Sequence, residues 1–108
     1  PIIREADGLA KSSRNTYLND EERKAALCLS KSIKKAKELV AGGNVDAVSV
    51  VNEMKAVINE EKLAKIDYVE AVSEETLELV EKLSKGNLVA MAVYIGKTRL
   101  IDNFIVGE

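Results

Sequence analysis

NLVAMAVYIGKTRLIDNF, residues 87–104, reads as two strands joined by a tight turn. NLVAMAVYIG (87–96) is apolar on both faces, the pattern of a central strand covered on each side. Gly96-Lys97 joins it to TRLIDNF (98–104) as a two-residue loop with glycine first, the preference of a type II′ hairpin turn. A hairpin alone is not stable in water, so it needs another strand and a cover. KIDYVEAV (65–72) supplies the strand: it alternates and carries β-branched and aromatic residues. Between the strands, SEETLELV (73–80) is ambiguous, and Ser73 with Thr76 and Leu77 suggests a single helical turn packing beneath a loop.

The cover comes from upstream. Asn19 and Glu22 stand three apart, the spacing of a capping box. Asp20, Glu21 and Glu22 fill the first turn, where the helix dipole favours negative charge. Ala26, Leu29, Ile33, Ala36 and Val40 then recur at helical spacing, and Gly42-Gly43 ends the helix. A second helix is predicted from about Val45 to Asn59, with Asn44 as N-cap and Ala47, Val50, Val51, Met54 and Ile58 as its apolar stripe. The expected fold class is α+β: two N-terminal helices packed in a second layer on a small, mainly antiparallel three-stranded sheet. Residues 1–108 read as one domain, with no internal repeat or low-complexity tract.

Composition excludes several functions. The chain has 108 residues, 46% hydrophobic and 31% charged, which favours a folded domain over disorder. A net charge of −2 gives no global pull toward nucleic acid or anionic lipid. Aromatic residues are only 4%, so base-stacking platforms are not expected. Histidine is absent, which removes the commonest general base and metal ligand, and no metal site is expected on this chain. LVAMAVYI is too short to span a bilayer, and PIIREADG has no apolar h-region of a signal peptide. The single cysteine, Cys28, fits a reducing cytoplasm. A start at Pro1 without methionine is expected of a processed protein or of a piece of a longer one.

One segment carries chemistry of its own. Lys11-Ser12-Ser13-Arg14 sets two cations and two hydroxyls in four positions, just ahead of a capped helix. Hydroxyl and backbone N–H donors in a glycine-containing loop surround phosphate oxygens well, and a guanidinium adds a charge-assisted contact. Arg4 and Lys11 raise the local positive charge further. The same residues also describe an ordinary solvated loop, and GxxxxGK[ST] and GxGxxG are absent.

PIIREADGLAKSSRNTYLNDEERKAALCLSKS (1–32), IDYVEAV (66–72) and GKTRLIDN (96–103), in that order, resemble the C-terminal domain of the pantothenate synthetase (pantoate–β-alanine ligase) family. The resemblance covers essentially the whole chain. It implies a lid domain over a cleft in an N-terminal Rossmann-like half that carries an HxGH-like motif. ATP and pantoate would give an enzyme-bound pantoyl adenylate and pyrophosphate; β-alanine would then give pantothenate and AMP. Mg2+ would accompany ATP, held mainly by the other half. The resemblance implies that Ser12 and Ser13 donate to ATP phosphates, that Arg14 neutralises charge there, and that Ile3 meets the adenine with its backbone. Lys11 departs from the Met or Leu usual before SSRN, and is read as an added phosphate contact or, preferably, a solvated lysine. No catalytic residue is assigned to this stretch. The implied enzyme is a cytoplasmic homodimer with no nucleic-acid or membrane partner. On this reading the 108 residues alone make no pantothenate. The alternative is a freestanding, non-catalytic binding or interaction module.

Other candidates read as structure. Arg99 and Asp102 are expected to hold strand ends through hydrogen bonds, although both are also substrate candidates. Cys28 reads as a small core residue, and Met54 and Met91 as core filler. The lysines of the first helix read as a solvated face, diluted by Glu21, Glu22 and Glu38. Asp67 and Glu70 are expected on opposite faces of their strand, and so not as an acid–base pair.

Overall fold

The computed structural model describes residues 4, 8, 9 and 16–107. Two helices, α1 (Asp20–Ala41) and α2 (Ala47–Asn59), precede three strands, β1 (Ala64–Val72), β2 (Leu88–Ile95) and β3 (Thr98–Ile105). The strands form one sheet in the order β1-β2-β3 with both pairings antiparallel. The α+β architecture expected from the sequence is therefore present, with the helices stacked on one face of the sheet.

The capping box of α1 is formed. The Asn19 side chain accepts from the Glu22 N–H at 2.8 Å, and Glu22 Oε1 accepts from the Asn19 N–H at 3.1 Å. At the other end the N–H of Asn44 donates to the Leu39 carbonyl and that of Gly43 to the Val40 carbonyl. This is the Schellman arrangement, and it requires the positive φ of +100° that Gly43 supplies. Ala26, Leu29, Ile33 and Ala36 are buried, with Val40 packed at the margin.

The second helix starts two residues later than expected. Its N-cap is Asp46, with no side-chain cap, because Asn44 already closes α1 with its backbone. The Asn44 side chain instead accepts from the Asp46 N–H and donates to Ser49 Oγ. Ala47, Val50, Met54 and Ile58 are buried as the spacing predicts, and Val51 packs beside them.

Strand β2 is central, but it is not covered on both sides. Val89, Met91, Val93 and Ile95 point into the core at 0% exposure, whereas Tyr94 on the other face is 37% exposed and Leu88 and Ala90 are half-buried. Ala90 and Ala92 on that face are small, and Ala92, paired with Tyr68 and Ile101 of the flanking strands, is fully buried. The Gly96-Lys97 loop forms as expected: Ile95 pairs with Thr98, and Gly96 has a φ of +60°. Residues 73–80 make one hydrogen-bonded turn, Leu77 N–H to Ser73 O at 2.7 Å. They do not pack beneath a loop, since Leu77 and Leu79 are 71% exposed.

Strand β1 contains an irregularity that the alternation conceals. Ile66 pairs with Val93 and Tyr68 with Ala92, leaving Asp67 as an extra residue. The bulge inverts the strand's phase. Ala64 and Ile66 share the core face with Ile95 and Val93; beyond the bulge Val69 and Ala71 share it with Met91 and Val89. The expected separation of Asp67 and Glu70 onto opposite faces therefore fails, because the Asp67 carboxylate meets Arg99 on the outer face, to which Glu70 also belongs.

Candidate functional site

The predicted site residues Ile3, Lys11, Ser12, Ser13 and Arg14 lie outside the described residues. What is described is their setting. On one side stand Arg4, Gly8 and Leu9; on the other, Thr16 to Asn19 lead into α1.

The upstream side is built around Asp102. The alternation Leu100, Asp102, Phe104 turns this acid toward the core, opposite Met91. Its side chain is 1% exposed, a position that an unpaired carboxylate does not tolerate. Arg4 satisfies it with a two-pronged contact, Nη1 to Oδ2 at 2.8 Å and Nη2 to Oδ1 at 2.9 Å. Nη1 also donates to the Gly8 carbonyl at 3.0 Å, and Asp102 Oδ1 accepts from the Asn103 N–H. The hydrogen bond to Asp102 pushes the Arg4 pKa up, against the opposing effect of burial. Arg4 therefore spends its charge on Asp102 and does not add free positive charge to the loop, as the sequence suggested. Nor does Asp102 hold a strand end, since it lies in the middle of β3.

Gly8 and Leu9 follow from this contact. Gly8 has a φ of +95°, and a Cβ there would lie 2.9 Å from Ser30 Oγ on α1. Leu9 is 2% exposed and belongs to the core cluster. Downstream, Leu18 packs against that cluster while Tyr17 is 75% exposed. The capping carboxylate of Glu22 occupies the space where a Cβ on Gly96 would fall, so the hairpin tip abuts the start of α1. A groove of about 390 Å³ lies between Arg4 and α1, lined by Ser30, Ile33, Lys34, Lys37 and Glu38.

The other candidates resolve as structure. Arg99 pairs with Asp67, Nε to Oδ2 and Nη2 to Oδ2 both at 3.0 Å. Cys28 is buried, and desolvation, with Glu61 nearby, pushes its thiol up to about 11, so it is a core residue and a poor nucleophile. Met54 and Met91 are fully buried, and Met91 accepts a contact from Ser32 Oγ. Lys24, Lys31, Lys34 and Lys37 are exposed; Lys37 also lies 5.7 Å from the Phe104 ring centroid, an interaction not foreseen in the solvated-face reading. Among the described residues no group of three or more acidic, histidine or cysteine side chains is placed to hold a metal ion. None of the described helices is long and apolar enough to cross a membrane. Sequence reasoning missed the Arg4–Asp102 pair, although an acid between Leu100 and Phe104 on one strand face signals a buried carboxylate in search of a cation.

These features define a small α+β fold in which Arg4 is paired with Asp102 of the last described strand, and in which a hydroxyl- and cation-bearing stretch of sequence precedes α1. The family model for pantoate–beta-alanine ligase matches residues 1–105, and the chain belongs to that family. It is 61% identical over 104 residues to the pantothenate synthetase of Clostridioides difficile, covering 96% of this chain and 37% of that protein. It is 56% identical over 106 residues to that of Thermosipho africanus, covering 98% and 38%. The crystal structure of pantothenate synthetase from Thermus thermophilus superposes with a TM-score of 0.90 at 32% identity, over 98% of this chain and 38% of that one. A Francisella tularensis pantoate–beta-alanine ligase, complexed with beta-gamma ATP and beta-alanine, matches with a TM-score of 0.57 at 27% identity, over 97% and 31%. The chain thus spans under two-fifths of the length of these relatives, and corresponds to their C-terminal domain.

Proposed function

We propose that residues 1–108 form one domain, the lid of a pantothenate synthetase, and that Ser12, Ser13 and Arg14 grip the phosphates of ATP. The observation that carries this reading is the family match over residues 1–105, together with the small share of each relative that the chain covers. In the whole enzyme a pantoate carboxylate oxygen attacks the α-phosphorus of ATP. The bond to the bridging oxygen breaks, pyrophosphate leaves with its electron pair, and pantoyl adenylate forms. The amine of β-alanine then displaces AMP and gives up a proton, yielding pantothenate.

The part assigned to this domain is electrostatic. Negative charge builds on the leaving pyrophosphate, so donors fixed around it stabilise the transition state more than the ground state. Ser12 and Ser13 hydroxyls donate to phosphate oxygens, Arg14 adds a charge-assisted contact, and the backbone of Ile3 lies against adenine. Lys11 adds a weaker charge or stands in water. Mg2+ travels with ATP and is assigned mainly to the N-terminal, Rossmann-like half, which also binds most of pantoate; β-alanine is the third substrate. The whole enzyme is a cytoplasmic homodimer on this proposal, and the lid works by closing over the cleft.

Two measurements test it. In the full-length enzyme Arg14→Ala lowers pantoate-dependent ATP–pyrophosphate exchange about 100-fold; an unchanged rate makes the loop passive. The 108-residue chain by itself forms no pantothenate from ATP, pantoate and β-alanine. Turnover by that chain would refute the two-half arrangement, and ligand binding without any ligase partner would favour a freestanding binding module.

A further inference from the structure

Tyr17 is 75% exposed, more than any other large apolar or aromatic side chain among the described residues. Its backbone is nevertheless held: the next residue, Leu18, packs against the core cluster, and Asn19 caps α1. The ring therefore stands in solvent on a fixed base. Exposure by itself does not single it out, because isolated apolar side chains are common on protein surfaces. Its place in the fold does. The helices and strands run between two ends of the fold. One end holds Tyr17, the start of α1, the Gly96-Lys97 turn beside Glu22, and Leu63, whose carbonyl accepts from the Gly96 N–H at 3.2 Å. The other end holds Gly42-Gly43 and the connection from β1 to β2, where Leu79 is 71% exposed and bridged to Val72. The 22 residues of α1 set the two ends about 33 Å apart.

Arg14 is three positions from Tyr17, so their α-carbons lie no more than about 11 Å apart, whatever path the chain takes between them. An arginine on the ATP phosphates therefore brings Tyr17 to the rim of the cleft, and leaves Leu79 at the far end. We propose that Tyr17 is the docking anchor of the lid: with nucleotide bound, its ring packs against the N-terminal half of the same polypeptide. That half is the part preceding this chain in the relatives, of which the chain covers only 37–38%. This rests on the lid reading above. A tyrosine suits such a contact, because its rigid ring gives a large area at little cost in conformational entropy, and because tyrosines are enriched among the residues that dominate interfaces. The ring carries the contact, and the hydroxyl stays at its wet edge. Tyr17 touches no reacting atom in this scheme; it holds the lid where Ser12, Ser13 and Arg14 meet their phosphates.

The test uses the full-length enzyme. With the photoreactive p-benzoylphenylalanine in place of Tyr17 and a non-hydrolysable ATP analogue bound, irradiation is expected to join this position to a peptide upstream of Pro1. The same group in place of Leu79 is expected to join none. A crosslink from Tyr17 to the nucleotide alone, or none to any upstream peptide, overturns the proposal, as does an equal crosslink from Leu79. Kinetics give the second readout. Tyr17→Ala is expected to lower pantoate-dependent ATP–pyrophosphate exchange about 10-fold, with the unfolding temperature of the nucleotide-free enzyme unchanged. Tyr17→Phe and Leu79→Ala are expected to stay near the unmodified rate. Equal rates in Tyr17→Ala and Leu79→Ala, or a loss in Tyr17→Phe as large as in Tyr17→Ala, overturn the ring contact. Silence of Arg14→Ala with the crosslink intact defeats the phosphate reading instead and leaves the docking contact standing.

Discussion

Strand β3 takes part in two arginine–aspartate pairs of similar length, one on each face. Arg4–Asp102 closes at 2.8 Å on the inner face, with side chains 29% and 1% exposed; Arg99–Asp67 closes at 3.0 Å on the outer face, with both about two-fifths exposed. Distance does not separate them, but solvent does. Water screens the outer pair, and its partners lose little when parted. The inner carboxylate has no water to fall back on, so its arginine is obligatory once the acid is there. The inner pair also joins Arg4, far away in sequence, to the sheet, whereas the outer pair joins two strands already joined by their neighbour β2.

The comparison is sharpest in the stability of single variants. Arg4→Ala should destabilise the fold by about 3–5 kcal/mol in urea unfolding, because it strands the buried Asp102 carboxylate. A loss no greater than that of Arg99→Ala would break the distinction. The buried Cys28 thiol gives the next effect. Its raised pKa, about 11 against 9.0, means that the folded state holds its proton longer. The associated stability is intact below pH 9 and is lost between pH 9 and 11, about 2–3 kcal/mol in all. Cys28→Ala should flatten that alkaline decline, and Ellman's reagent at about pH 8 should label Cys28 only after denaturation. Asn19→Ala, which removes one arm of the capping box, should cost about 1 kcal/mol. Smallest is Arg99→Ala, at under about 1 kcal/mol, and its effect should fade further in high salt.

Much of this was legible in the chain. The capping box at Asn19, the double glycine at 42–43 and the Gly96-Lys97 turn are local devices, read from a few neighbouring residues and formed as read. What escaped reading was non-local or depended on competition. Asn44 looks like an N-cap, but its backbone is already committed to ending α1, and the cap passes to Asp46. The apolar composition of β2 suggested cover on both faces, whereas both described helices lie on one face. The bulge at Asp67 leaves little trace in the residue types, because Ile66-Asp67-Tyr68 alternates respectably as a plain strand. The proposed site residues rest on resemblance alone, since Lys-Ser-Ser-Arg describes a solvated loop equally well. Arg4 and Asp102 stood within the resembling motifs, but their meeting is a matter of topology, which brings β3 against Arg4.

The extra residue in β1 has a corollary for how this strand tolerates change. Asp67 and Tyr68 both belong to the outer face, so removing Asp67 leaves Ala64, Ile66, Val69 and Ala71 in step as an ordinary pleated ribbon. Such a shortened chain forfeits an ion-pair partner of Arg99, yet keeps these four apolar side chains on the core face. Removing Lys65 or Glu70 instead puts the two halves out of step, and one of them must turn its buried residues toward water. Tolerance of a one-residue deletion should therefore be confined to the irregular point of the strand, where the register already holds a spare.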